Sequence, residues 1–339
     1  MSEKKSLDIP ENLDEEFYQI NNDILQSFSK YRPPLNIYRF REDVQRIVTY
    51  YEVGNRLSKH QTEELPELVD EGVIFVSRVD HSIYVKHISY QLDLVLLDKH
   101  LTERETADIF QMAITRRMEA FFEQPVKMVY DKLQADIFVL TEYLWEDINR
   151  GRALVRRFHK EHTLANHSVN CGFFGLLLFL YSRPKDFCLE PKNRQLLNRI
   201  ALGLFLHDIG MSKIPPFIRD KTQPLTPDDR QKIQNHPNIG HDMLSKLDIK
   251  YPEIEQCVLQ HHERLDGSGY PGKRKNGDIT TWGNLAAVVD SYCAMRTQRP
   301  YAQALDPAAA AQRLADDRRY EGEWTKRILP ILVKMKENR

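Results

Sequence analysis

The sequence predicts an α+β N-terminal domain followed by an all-α helical domain. Three observations carry that expectation. Runs rich in β-branched and aromatic residues crowd into the early part of the chain, and segments with apolar residues at helical spacing fill the remainder. The change of texture falls at Thr102, where Thr102 and Glu105 form a capping box ahead of a long helical run. At roughly 100–200 residues per domain, the 339 residues suit two domains with a sizeable core.

Residues 1–17 are polar and charged and are expected to be a poorly ordered tail. A small α+β regulatory or interaction domain is expected over 18–100. It would hold a short helix near 18–31, a break at Pro33-Pro34 and a strand beginning at Leu35–Phe40. Two further strands are read at Gly72–Val76 and Ile83–Ile88, joined as a hairpin through Arg78–Ser82. His60, His81, His87 and His100 are isolated there, which suits surface or packing roles.

Connecting helices are expected over 101–149. Ile109, Phe110, Ala113, Ile114, Met118, Phe121 and Phe122 keep helical spacing, Pro125 interrupts, and a second pattern runs over 126–144. The helical domain, 150–339, has candidate helices at 161–181, 194–209, 227–246, 252–264, 282–297, 307–316 and 320–337. Asp306-Pro307 reads as a helix start with proline in the first turn.

Lysine and arginine number 48 against 49 aspartate and glutamate, so no overall basic field argues for DNA or RNA. A local basic pocket for a phosphate ligand is compatible with that balance. Cys171, Cys188, Cys257 and Cys293 form no CxxC, which argues against a zinc ribbon or disulfide framework and for a reducing compartment. The N-terminus lacks the apolar core of a signal peptide. The longest apolar stretch, Cys171 to Tyr181, is shorter than the ~20 residues that span a bilayer. A cytoplasmic protein without membrane insertion is expected.

The chemistry gathers around His261-His262-Glu263-Arg264-Leu265-Asp266-Gly267-Ser268-Gly269-Tyr270-Pro271-Gly272. Adjacent imidazoles at the end of an apolar helical turn can ligate a transition metal, and the glycines let the chain turn tightly or approach a ligand. A surface turn accounts for the DGSG stretch but not for the histidines. His207-Asp208 ends another apolar helix. For that pair alone, a histidine hydrogen-bonded to its surroundings is the commoner reading. His167, His236 and Asp290 add further polar groups on apolar helices, and a lone buried aspartate needs a cation or a hydrogen-bond partner.

Taken in order, His167, His207-Asp208, His236-Pro237, His261-His262-Glu263-Arg264, Gly269-Tyr270-Pro271 and Asp290 resemble the HD-GYP family of metal-dependent cyclic di-GMP phosphodiesterases. The resemblance implies an HD-GYP-type fold for the all-α domain, with a metal centre between its helices. One ion would be held by His167, His207, Asp208 and Asp290. The second would share Asp208 and take His236, His261 and His262. The resemblance further implies two divalent ions, iron or manganese, and hydrolysis of cyclic di-GMP to linear pGpG and onward to GMP by a metal-activated bridging water. A cyclic-dinucleotide receptor or interaction module with little catalysis, and a phosphodiesterase for another cyclic dinucleotide, are the alternatives.

Substrate contacts are expected from Gly269, Tyr270 and Pro271 at the cleft lip, and from Arg296 and Arg299 through charge-assisted bonds. Packing for Tyr270 and ion pairing for the arginines compete with those roles. Three departures from the family stand out. Thr163 occupies the place of a glutamate that serves a third metal, so two ions are expected. Met211 replaces a phosphate-suited lysine, which leaves Lys213 as a candidate substitute. Ala302 follows Arg299-Pro300-Tyr301 where a basic residue is common. His159, His162 and His241 are read as structural or exposed. A homodimer, and a protein partner bound through the N-terminal domain or the GYP loop, complete the expected associations.

Overall fold

A computed structural model describes residues 16–20, 22–96, 101–299 and 303–336. The tail expected over 1–17 lies outside the described residues up to position 15, as do His100, Pro300, Tyr301 and Ala302. The chain divides into two compact units, Met1–Phe110 and Gln111–Arg339.

The first unit is built on an antiparallel sheet of β1 (Phe17–Gln19), β2 (Ile37–Arg41), β3 (Arg46–Tyr51) and β4 (Ile74–Ser77), in the order β1-β4-β2-β3. Every residue of β4 is buried, as suits a strand paired on both edges. Helix α1 (Asn22–Ser27) falls in the segment expected to be helical, although β1 takes the start of it. Helix α2 (Lys59–Asp70) opens on a capping box in which Ser58 and Gln61 exchange bonds of 3.0 and 3.1 Å. Its buried Leu65 and Leu68 turn inward, and the helix packs on β4.

The strand expected at Ile83–Ile88 is instead helix α3 (His81–Ile88). The Ser77 hydroxyl accepts the Val79 amide at 3.1 Å and turns the chain. Tyr84, Val85 and Ile88 then fall on one buried stripe, while Ile83 stays exposed. A six-residue apolar run is too short for its period to separate strand from helix. The hairpin that does form joins β2 to β3 through Glu42–Gln45, where Gln45 takes the left-handed φ of 50°. That turn lacks glycine and proline, the signals that mark hairpins in sequence.

Helix α4 (Glu103–Glu123) starts at the expected Thr102/Glu105 capping box, with bonds of 2.8 and 3.3 Å. Helix α5 (Lys127–Glu146) follows the break at Pro125. The remaining helices are α6 (Gly151–Val155), α7 (Leu164–Tyr181), α8 (Lys192–Leu206), α9 (Pro216–Arg219), α10 (Pro227–Gln234), α11 (His236–Lys246), α12 (Pro252–Gln260), α13 (Thr281–Arg296), α14 (Pro307–Ala315) and α15 (Glu323–Lys336).

Helix α7 is the core of this unit and packs against α6, α8, α13 and α15. It is long and apolar enough to cross a membrane by length and composition, yet 83% of its apolar window is buried inside the protein. Its Phe174 stacks on Tyr292 of α13 at 4.1 Å, and each large apolar side chain so buried stabilises the fold by about 1.5–3 kcal/mol.

Two expected helices are interrupted, and both interruptions shape the site. The segment 227–246 is two helices broken at Asn235, because Pro237 in the first turn of α11 has no amide to continue the α10 ladder. The segment 194–209 stops at Leu206, with His207 as its cap and a tight turn over Ile209–Lys213.

Candidate metal centre

Helix ends deliver most of the polar groups. His207 caps α8 and Asp208 opens the turn after it; His261 caps α12 and His262 follows; His236 begins α11. His167 and Asp290 come from the interiors of α7 and α13. His167, His207, His236 and His261 are at most 2% exposed, and Asp208 and Asp290 are 9% and 8% exposed. Gly210 lets this packing close, since a Cβ there would lie 2.0 Å from the His236 carbonyl oxygen.

Three imidazoles are held the same way. The Nδ1–H of His207 donates to the Leu204 carbonyl at 2.8 Å, that of His236 to Ile233 at 2.7 Å, and that of His261 to Val258 at 2.9 Å. With Nδ1 committed as donor, each Nε2 carries a lone pair when its ring is neutral. These nitrogens converge on Asp208, and its two oxygens divide between two groups. Oδ1 faces His236 Nε2 at 3.1 Å and His261 Nε2 at 3.4 Å. Oδ2 faces His207 Nε2 at 3.4 Å and His167 Nε2 at 3.7 Å. Asp290 lies 3.0 Å from His167 Nε2 and 3.7 Å from His262 Nδ1.

His236 and His261 bring their Nε2 atoms within 2.9 Å of each other. Two lone pairs at that distance repel unless a cation or a proton lies between them. His207 Nε2 and His167 Nδ1 are buried without a hydrogen-bond partner among the described residues, a costly condition. Electrostatics agree with this need for positive charge. Burial works against ionised His207 and His167, but Asp208 beside the first, and Cys171 and Asp290 beside the second, drive both imidazoles up to about 10. Against the same burial, His207 holds Asp208, and the hydrogen bond from His167 holds Asp290, well below the usual carboxylate range. Burial, then His261, pushes His262 well down. Asp208, His236, His261 and His262 can hold a metal ion, as can His167, Cys171 and His207. Imidazole and carboxylate donors suit divalent transition metals.

The glycine run forms a loop pinned by Glu263. This carboxylate, 2% exposed, accepts the amides of Gly272 at 2.6 Å and Arg274 at 2.9 Å. Gly269 is required by packing, because a Cβ there would lie 2.4 Å from the His262 carbonyl oxygen and 2.5 Å from the Arg264 amide nitrogen. Tyr270 precedes a cis bond to Pro271 and stacks on the His262 ring at 4.6 Å. Burial and the neighbouring Asp290 and Asp208 carboxylates raise its phenol well above the usual range.

The metal-ligand candidates His167, Asp208, His236, His262 and Asp290 open on a cleft of about 640 Å³, and Tyr270 and Met211 line it too. Gly269 and Pro271 support the cleft's loop without lining it, and Lys213 is exposed outside the lining. Arg296 is turned away: its guanidinium donates to the Leu305 carbonyl and lies over Phe158. Arg299 does line the cleft, with a buried Nε that has no partner among the described residues.

The cleft also holds Arg219, Lys221 and Arg230, which the sequence reading passed over. They lie in a polar stretch without periodic spacing, and the one local signal is the Thr226/Asp229 capping box that fixes it. Lys221 bonds Asp229 at 2.7 Å, and Arg219 bonds Asp220 through two contacts of 2.9 Å. Thr163 caps α7 by accepting the Asn166 amide at 3.0 Å. His159 has a structural place against Thr115 at 2.9 Å, while His162 is exposed and contributes to the cleft lining. His241 is half-buried on α11.

Residues 188–323 match the family model described as the HD domain. That span includes His207, Asp208, His236, His261, His262 and Asp290, and leaves His167 upstream. The chain is 31% identical over 139 residues to a cyclic di-GMP phosphodiesterase of Pseudomonas aeruginosa, covering 41% of this chain and 33% of that protein. It is 41% identical over 106 residues to a cyclic di-GMP phosphodiesterase of Thermotoga maritima, covering 31% of this chain and 29% of that protein. Against the 3'3'-cGAMP-specific phosphodiesterase 2 of Vibrio cholerae it is 31% identical over 97 residues, 28% of this chain and 19% of that protein. The chain thus spans about a third or less of the length of these relatives. A solved structure of an HDG"Y"P protein from Bdellovibrio bacteriovorus shares the fold, with a TM-score of 0.59 at 16% identity, over 94% of this chain and 99% of that one.

Proposed function

We propose, for a chain whose helical unit carries an HD domain of the HD-GYP family, that the centre binds two divalent ions and hydrolyses a cyclic dinucleotide. The observation that carries this reading is the division of Asp208, with Oδ1 toward His236 and His261 and Oδ2 toward His207 and His167. One ion is assigned to His167, His207, Asp208 and Asp290, and the other to Asp208, His236, His261 and His262. Such a donor set is compatible with iron or manganese.

When bound, paired ions supply a water nucleophile at neutral pH and stabilise charge on the phosphate. The protein's own groups do the positioning. The backbone carbonyls of Leu204, Ile233 and Val258 fix the ligand rings. Glu263 holds the loop that keeps Tyr270 on His262. Arg299, together with the cations of 219–230, offsets phosphate charge in place of the lysine that Met211 replaces. The products are linear pGpG and then GMP if the substrate is cyclic di-GMP. The N-terminal unit is assigned a regulatory or partner-binding role.

A second substrate is supported by the relative named for 3'3'-cGAMP, since metal ligands do not read bases. The test is product chromatography on a panel of cyclic dinucleotides, with the chain loaded anaerobically with iron or manganese. Linear products are expected, and Asp208→Ala or His207→Ala should abolish them. Full turnover by Asp208→Ala would reject the bridging role.

A further inference from the structure

We infer that the sulfur of Cys171 is a ligand in the His167–His207 half of the centre, which makes that half a nitrogen, oxygen and sulfur site. The inference rests on the binuclear reading above and adds a ligand to it. Cys171 lies four residues after His167 on α7, so both side chains project from one face of the helix. Its Sγ is 3.6 Å from His167 Nε2. Donors bound to one ion at about 2.3 Å for sulfur and 2.0–2.1 Å for nitrogen stand about that far apart when their angle is near tetrahedral. His207 completes the trio, with the three donor atoms within 4.8 Å of one another.

A second observation points the same way. His207 Nε2 is buried and has no hydrogen-bond partner among the described residues, while its Nδ1 is spent on Leu204. In the neutral ring that atom offers a lone pair to an ion. Cys171 is 1% exposed, as a structural cysteine would be. Its setting differs from that of Cys257, which is fully buried and bonds the Trp282 carbonyl at 3.6 Å. Cys293 on α13 lies beside the Cys171 sulfur and is taken as an outer support rather than a ligand.

On ion uptake the Cys171 S–H bond breaks, the sulfur keeps the electron pair and donates it to the ion, and the proton passes to the buffer. No oxidant or reductant takes part. A thiolate shifts preference toward iron, cobalt and zinc over manganese and magnesium, so this half should select softer ions than the half built on Asp208, His236, His261 and His262.

The metal-free full-length chain, titrated anaerobically with cobalt(II), tests this. Cobalt ligand-field bands report that the centre binds an ion, and a thiolate-to-cobalt charge-transfer band in the near ultraviolet reports sulfur ligation. Both are expected in the native chain. The charge-transfer band should disappear in Cys171→Ser and persist in Cys293→Ser. Ligand-field bands without charge transfer would overturn the Cys171 assignment and leave the centre standing. Absence of cobalt uptake would overturn the centre, and the assignment with it. A band that survives Cys171→Ser would assign the sulfur elsewhere and reject the inference. If Cys171→Ser fails to fold, cobalt-edge X-ray absorption on a chain carrying Cys188→Ser, Cys257→Ser and Cys293→Ser decides, because Cys171 is then the remaining thiol. A sulfur scatterer supports the assignment and its absence rejects it.

Discussion

Glu263 sits inside the histidine–glycine run without facing the metal cluster. Its two oxygens satisfy the amides of Gly272 and Arg274, and its burial denies those amides water as a substitute. Glu263→Ala should therefore cost about 1–3 kcal/mol in urea unfolding for each donor left bare and should loosen Tyr270. Metal content of the folded fraction should be unchanged, which separates a loop-holding residue from a ligand. His159 offers a pH test away from the cluster. Burial lowers its folded value below that of the unfolded chain, ~6.5. Below that unfolded value the unfolded state binds a proton that the folded state refuses, so this histidine removes stability as pH falls toward its folded value, by at most ~1.4 kcal/mol per pH unit. His159→Gln should lessen the loss of urea midpoint between pH 7.5 and 5.5, and an identical loss would contradict the assignment.

Elements with a clear period and a capping signal were legible in the sequence. Helices α4 and α5 follow from the Thr102/Glu105 box and Pro125, and α7 from its apolar run. The candidate ligand residues stood out as histidines and aspartates that an apolar helix does not otherwise need. Less legible were features that depend on partners far along the chain. The run Ile83–Ile88 carried β-branched residues, but packing chose a helix with Tyr84, Val85 and Ile88 inward. Strand β3 pairs through a turn without glycine or proline, and the cleft's arginines are gathered by folding rather than by spacing. The Ser58/Gln61 box was readable in principle, being the same pattern that marked α4. Ser58→Ala should destabilise α2 by about 1 kcal/mol, measured as faster amide exchange in its first turn with α4 unaffected.

For the molecule as a whole, near balance of charge conceals local opposition. Arg219, Lys221, Arg230 and Arg299 line the same cleft as Asp208 and Asp290. The acidic and imidazole cluster attracts cations, and the arginines and lysine attract anions, so one opening can serve an ion and a phosphodiester. Because buried ligand atoms gain a partner only in the folded chain, ion binding should stabilise it. Chelation should lower the melting temperature and readdition of iron or manganese should restore it, corresponding to about 2.7 kcal/mol at a free ion concentration 100 times the dissociation constant. Asp208→Asn should abolish most of that difference. A melting temperature insensitive to chelator and metal would contradict a centre built across α7, α8, α11, α12 and α13.

The carbonyl acceptors of the three fixed imidazoles have an electrostatic meaning of their own. Leu204, Ile233 and Val258 belong to the last turns of α8, α10 and α12, whose ends all reach the cluster. A helix C-terminus carries about half a negative elementary charge. Three macrodipoles thus converge with their negative poles on the same spot as Asp208. That convergence favours cations at the Asp208 end of the cleft, so the proposed centre should take up its ions before a nucleotide, whose charge those ions would offset.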